Sequence, residues 1–509
     1  MDKKTSIVVF VVLLFTVSAA VGLKGRALID WDEGVFAVQA QWLARGFTAG
    51  KPFNFQTPPL FQVIIAFFFM FFSDRDWVLP LLSVLSSGAT VVVLYQFTRR
   101  LFDGMTGLFG VLLFMTTEYF LFFSRSGLSD AFFLFVFITG LFFFYLGITG
   151  HDNRSFLIAG ACSVLALYTK YSGFLLPLVF LVIGFRHRRS VSWRWCLFTV
   201  MIPLLLFLPY VIVFFKAVSL PGIFTRHVSV AGIHHPEFLY YIARFSTVPA
   251  VLAAVGALIL LAFPARHPTR QDDLKKAGIW FGIPVLIVFV LIGFYHPYFR
   301  LAYPLVLILC MAAAFVLNSA GRFKFYCLAL CLSAAVASGY STLSYRSAVP
   351  RQVAATAGRE ANLNKARYMF AITPPNVYFY VMGTILVPET NPSTKISSLA
   401  AVYAKNRMIM RRRDNALESE KTLLVLYSNV CTLAGFHEMI EQLGGRLIDS
   451  VEFKDAPVYC RDIFNPLRNE RQIYELYAVD LEKITPLDRG RLWDLAFAPQ
   501  VDVIRLAKQ

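Results

Sequence analysis

Apolar residues run almost unbroken from Ile7 to Leu23, and runs of similar length recur until about residue 340. A helix needs roughly 20 such residues to cross a hydrocarbon layer about 30 Å thick. By length and hydropathy the chain predicts spans at about 7–23, 77–98, 105–123, 131–148, 155–169, 172–185, 195–215, 240–263, 277–295, 301–320 and 325–343, eleven in all. The stretch from Pro58 to Phe72 is equally apolar but has about 15 residues, which suits a juxtamembrane or re-entrant helix at the interface. Beyond residue 343 the pattern changes. Lys421 to Ser428 reads as a buried strand, Ala434 to Leu443 as a helix stopped by Gly444-Gly445, and Leu447 to Phe453 and Gln472 to Val479 as further strands. Another helix is expected over Ser397 to Arg412. The chain therefore divides into a transmembrane module, 1–343, and a small α/β domain, 344–509.

Charge orients the spans. With Pro58 to Phe72 kept out of the count, Lys3-Lys4, Arg99-Arg100, Arg154, Arg186 to Arg194, Arg266 to Lys276 and Arg322/Lys324 all fall on one side. The positive-inside rule makes that side cytoplasmic. The C-terminal domain then lies outside. The outer face collects Asp32-Glu33, the loop from Arg125 to Asp130, Lys170, the loop from Lys216 to Glu237, and His296 to Arg300. Charged residues make up 16% of the chain, against about 25% in soluble domains, which fixes the class as a polytopic membrane protein. The formal charge is +17, but many of the bases sit in short loops between spans. Topology and anionic headgroups account for those bases, and nucleic acid is not an expected partner. Ile7 to Leu23 imitates a signal peptide, with Val17-Ser18-Ala19 at a cleavage-like position. An uncleaved first helix is expected because the later topology needs an anchored start.

Five groups at the outer face carry candidate chemistry. Asp32-Glu33 follows the first span; it reads either as a helix cap or as a pair of reactive carboxylates. Asp130 opens an apolar helix after Ser124-Arg125-Ser126-Gly127-Leu128-Ser129. Lys170 lies between two spans too close for a true loop; it either snorkels to the interface or meets an anion. Arg300, on the side the charge rule disfavours, needs a counter-charge, and a phosphate fits a guanidinium well. Tyr298 and Tyr303 beside it read as pocket residues or as aromatic-belt anchors. Arg226-His227 and His234-His235-Pro236-Glu237 match no standard metal site; dependence on a divalent cation is left open and no other cofactor is implied. Five of seven cysteines fall in spans, while Cys431 and Cys460 are placed where a disulfide is one of two outcomes.

Asp32-Glu33, Pro58-Pro59-Leu60, Leu128-Ser129-Asp130, Thr169-Lys170 and Arg300 through Pro304, in this order, resemble the GT-C class of polytopic glycosyltransferases that use polyprenyl-phosphate sugars. The nearest groups are the protein O-mannosyltransferase-like family and the lipid A aminoarabinose transferases. The resemblance covers roughly residues 1–310. Thr57 and Val35 depart from the basic residues those groups carry, and no Trp-Trp-Asp-Tyr-Gly signature is present, which argues against whole-glycan transfer to asparagine. The resemblance implies an inverting transfer of one sugar from a polyprenyl-phosphate donor to a hydroxyl of a lipid, polysaccharide or protein acceptor, at the outer face of the cell's inner membrane. It implies Asp32 as general base, with Glu33 and Asp130 orienting base or acceptor. Lys170, Arg300, Tyr303, Arg125 and Arg226 are the candidate substrate-binding residues. A transporter or flippase of lipid-linked sugars is the rival. The absence of an inverted repeat and the gathering of charge at one face weigh against it.

Overall fold

The computed structural model describes residues 3–23, 26–45, 57–73, 75–188, 193–217, 232–253, 268–295, 298–319, 325–326, 328–329, 332–333, 348–364, 366, 368–377, 379–380, 386–387, 421–431, 435–459, 467–483 and 502–506. Within them, six helices are long and apolar enough to cross a membrane, and three shorter apolar helices accompany them. The protein is a polytopic helical membrane protein carrying a small mixed sheet.

The first helix is α1 (Lys3–Gly22), and α2 (Trp31–Ala44), buried along most of its length, follows it. Helix α3 (Leu60–Phe72) packs on α2 through Phe61 and Gln62, sets Phe69 against Phe379, and leaves Phe67, Met70 and Phe71 exposed. Its 13 residues reach about 20 Å, short of a bilayer core. Next come α4 (Val78–Leu101), α5 (Gly104–Met115), α6 (Glu118–Phe123), α7 (Asp130–Gly150) and α8 (Asn153–Thr169). The span expected over 105–123 is thus two helices. Thr117 breaks it by capping α6, its hydroxyl accepting from Phe120 N–H at 3.1 Å.

A short 3₁₀ turn (Tyr171–Phe174) joins α8 to α9 (Leu175–Arg186), and α10 (Trp193–Ala217) follows with Pro203 and Pro209 inside it. The span expected over 240–263 begins as a separate amphipathic helix, α11 (His235–Phe245), that stops at Ser246; residues 254–267 lie outside the described ones. Helices α12 (Pro268–Ala277) and α13 (Ile283–Ile292) are continuous through a π-helical turn, Gly278–Gly282. A 3₁₀ turn, Phe299–Ala302, then feeds α14 (Tyr303–Asn318). Most of the span expected over 325–343 lies outside the described residues.

Polar bonds show how the helix ends are sorted. Arg99 at the end of α4 donates to Thr5 at the start of α1, Tyr145 donates to the Arg100 carbonyl, and Asn318 at the end of α14 donates to Asp103, the cap of α5. One end of the bundle therefore gathers Lys4, Arg99 and Arg100. The starts of α2, α7 and α14 lie at the other end, with the acids and bases described below.

The C-terminal region opens with α15 (Val349–Leu363). The strands are β1 (Tyr368–Ile372), β2 (Leu386–Val387), β3 (Thr422–Ser428), β4 (Arg446–Tyr459), β5 (Leu467–Asp480) and β6 (Asp502–Leu506), in the order β2-β6-β1-β3-β5-β4. Among the described residues, β1 and β3 pair in parallel and the other pairs are antiparallel. Strand β3 is buried along almost its whole length, as its unbroken apolar run requires of a central strand. Helix α16 (Phe436–Gln442) packs on it by stacking Phe436 on Tyr427, centroids 4.1 Å apart. Strands β4 and β5 are twice the length that their apolar cores suggest; β-bulges between Leu447 and Asp449 and between Phe453 and Ala456 interrupt their pairing. The helix expected over Ser397 to Arg412, and Cys460, lie outside the described residues; Cys431 is buried.

Candidate active site

The site begins with a helix start. Asp30 caps α2, its carboxylate accepting from Asp32 N–H at 2.7 Å, and Glu33 closes a capping box. The cap is therefore Asp30, and Asp32 is released from that duty, contrary to one of its two readings above. The signal was present as Asp-x-x-Glu, the spacing in which each side chain reaches the other's backbone. Glu33 is 1% exposed, and its oxygens accept from Ile29 N–H, Asp30 N–H, Gly127 N–H and the Arg26 guanidinium, the last at 3.0 Å. Four donors consume its lone pairs, so Glu33 knits the first loop to the loop before α7. Gly127 is obligatory there, since a Cβ would lie 2.8 Å from that of Leu79.

Asp32 sits on the next turn face and meets Arg300 at 2.5 Å. Arg300 is held by its neighbours. Phe299 beside it is buried against Tyr119, Phe123 and Phe245, with centroids 4.3, 5.8 and 4.8 Å away, and its carbonyl accepts from the Tyr119 hydroxyl. The guanidinium also lies over the Tyr298 ring at 5.4 Å.

Lys170 occupies a one-residue extended break between α8 and the 3₁₀ turn. Gly173 lets that turn fold back on α8, where a Cβ would approach the Ala166 carbonyl oxygen to 2.2 Å. Lys170 pairs with Asp130 at 2.5 Å. Asp130 is the first residue of α7 and 2% exposed, and among the described residues its second oxygen has no hydrogen-bond partner. Asp130, Lys170, Ser172, Arg300, Tyr303 and Phe133 share one pocket. Tyr303 is a wall of it, 2% exposed and stacked on Phe123 at 4.8 Å, which excludes the aromatic-belt reading.

The structure thus brings together Asp32, Asp130, Lys170, Arg300 and Tyr303. Arg125 lies half-buried in the loop before α7 and does not line the pocket; Arg226 falls outside the described residues. His234 and Glu237 pair at 3.4 Å, and among the described residues no group of acids, histidines or cysteines has the arrangement of a metal site. Sequence reasoning missed Asp30 and Arg26.

Burial, then the adjacent negative charge of Asp32, pushes the Asp30 carboxyl well above its usual value of 3.8, against the pull of Arg300. A carboxyl raised by folding stabilises fully below its unfolded value, and that contribution is lost as pH rises through the folded one. Asparagine caps helices as well as aspartate does. Asp30→Asn is therefore expected to raise Tm relative to wild type by an amount that grows from about pH 4 to about pH 8; an equal or falling difference over that range contradicts the assignment.

The bundle and the short helices that accompany it give the protein a fold similar to that of solved membrane glycosyltransferases of the GT-C type. Residues 56–213 match the family model of the dolichyl-phosphate-mannose-protein mannosyltransferases. The chain is similar in structure to ArnT from Cupriavidus metallidurans in the apo state, with a TM-score of 0.65 and 15% identity over 95% of this chain and 100% of that one. The same enzyme bound to undecaprenyl phosphate gives 0.59 at 15% identity, over 94% and 99%. The arabinofuranosyltransferase AftD from Mycobacteria gives 0.53 at 14% identity, over 94% of this chain and 40% of that one. No curated protein matches the chain in sequence. At these identities the structural likeness is one of fold.

Proposed function

We propose that the protein transfers a single sugar from a polyprenyl-phosphate donor to a hydroxyl of a lipid, polysaccharide or protein acceptor, with inversion, at the extracytoplasmic face of the inner membrane. The observation that carries this reading is the pair of ion pairs, Asp32–Arg300 and Asp130–Lys170, built from four separate segments; Asp130, Lys170 and Arg300 line one pocket, and Asp32 is joined to it through Arg300. A neighbour of the same fold was solved with undecaprenyl phosphate, which supports a lipid-phosphate donor.

The chemistry follows from exposure and charge. Asp32 is 35% exposed and reachable by an acceptor, whereas Asp130 is 2% exposed. Asp32 takes the proton of the attacking hydroxyl as the new bond to the anomeric carbon forms. The bond from that carbon to the phosphate oxygen breaks, and its electron pair leaves with the polyprenyl phosphate. Charge on the phosphate rises from about one to about two negatives. Arg300 and Lys170 are the cations that meet it. In the resting site both are occupied by carboxylates, so an arriving phosphate competes for Arg300 and frees Asp32 to act as base. Asp130 holds Lys170 in place, and Glu33 fixes the backbone that presents Asp32. The transmembrane module, 1–343, carries this chemistry, and the α/β domain, 344–509, covers it on the outer side.

The test is an assay of purified protein with a panel of labelled polyprenyl-phosphate sugars. Release of free polyprenyl phosphate, dependent on acceptor, is the expected result. Vectorial movement of intact donor across a vesicle membrane without release would establish the transporter reading instead.

A further inference from the structure

The segment that presents Asp32 is bound from outside the membrane module. Residues 26–30 are buried and belong to no helix or sheet. Leu28 N–H donates to the Tyr380 hydroxyl at 2.9 Å. That hydroxyl donates to Asp76 at 2.7 Å. The Arg351 guanidinium donates to Asp76 and, at 2.9 Å, to the Arg26 carbonyl. The Asn376 amide donates to the carbonyls of Leu28 and Ile29 at 3.2 and 3.1 Å. Glu33 takes Ile29 N–H and Asp30 N–H on the other side. Three residues from the C-terminal region thus satisfy one N–H and three carbonyls of a buried segment that would otherwise leave them unpaired. The approach is close: a Cβ at Gly34 would fall 2.0 Å from Asn376 N.

From this we infer that Tyr380, Asn376 and Arg351 are positioning residues, through which the C-terminal region sets the placement of Asp32 against Arg300. The inference rests on the reading of Asp32 as general base. None of the three lines the pocket. Their loss moves the base without altering the cations that hold the donor phosphate. Misplacement by about 1 Å costs on the order of 10²-fold in rate. The C-terminal region is on this account part of the catalytic apparatus, so that removing it is not equivalent to removing an acceptor-binding module.

Two variants of the full-length protein test it, Tyr380→Phe and Asn376→Leu. Both are expected to lower kcat by about tenfold to a hundredfold while the KM for the lipid donor does not rise and undecaprenyl phosphate binds at least as tightly as to wild type. Hydrogen exchange of the peptide covering residues 26–33 is expected to quicken in both, with the bundle helices unchanged. Wild-type kcat, or a change confined to KM, overturns the inference, as does unchanged exchange of that peptide. A wild-type protein that turns over no donor refutes the transfer reading, and the exchange measurement then still decides whether these residues hold the segment.

Discussion

Asp32→Asn is expected to lower transfer by about 10²- to 10⁴-fold, the range a positioned general base contributes, with Tm close to wild type. The separation of activity from stability follows from the geometry. The helix start is capped by Asp30, so asparagine at position 32 removes no cap. Its carboxylate is 35% exposed, so the ion pair with Arg300 is partly solvated and contributes little to stability. An asparagine keeps the shape and can still accept a hydrogen bond from Arg300, but it cannot take a proton. Initial rates with saturating donor, together with a melting curve, measure both. Turnover at the wild-type rate removes Asp32 from the mechanism.

Lys170→Met is expected to damage both folding and transfer, and a second substitution separates the two. Asp130 is 2% exposed, and without the ammonium it is a buried charge that has lost its ion-pair partner. Breaking a buried pair on one side typically costs about 3–5 kcal/mol. Neutralising the survivor relieves that cost, so the double variant Lys170→Met/Asp130→Asn is expected to recover most of the lost stability. Transfer is not expected to recover with it. A cation that meets developing phosphate charge is worth about 3 kcal/mol by analogy with deletion of an oxyanion donor, or roughly 10²-fold. Melting temperature and turnover of the single and double variants decide the matter. Recovery of transfer alongside stability makes Lys170 a structural residue only.

The helical frame was legible because crossing a bilayer imposes a length and a composition on each segment, and a small number of breaks obscured the rest. Thr116-Thr117 interrupts one span by a local cap that hydropathy averages away. Ser246 does the same after α11. In the sheet, β3 announced itself by seven consecutive residues with hardly a polar position, whereas β1 and β6 are five residues each and take their identity from pairing with distant strands. At the site, the residue types pointed to Asp32, Asp130, Lys170 and Arg300 because charge at the rim of a bilayer is costly. What residue types alone do not reveal is division of labour. Asp32 and Glu33 are adjacent, yet a helix turns their side chains onto different faces, one toward Arg300 and the other into a buried set of N–H donors. From its place at a helix start Tyr303 read either as a pocket residue or as an interfacial anchor, and the aromatic rings of α5 and α6 that enclose it exclude the second. The bonds from Tyr380 and Asn376 to Leu28 join residues about 350 positions apart, a separation no local pattern encodes.

The account depends on a lipid phosphate taking the place of the Asp32 carboxylate at Arg300 while also reaching Lys170, which Asp130 holds. An experimental structure of the protein with undecaprenyl phosphate bound tests this most directly. The phosphate is predicted within hydrogen-bond reach of both Arg300 and Lys170, with the Asp32 carboxylate turned from Arg300 toward the open side of the pocket. A phosphate bound elsewhere on the protein, with the Asp32–Arg300 pair still closed, would contradict it.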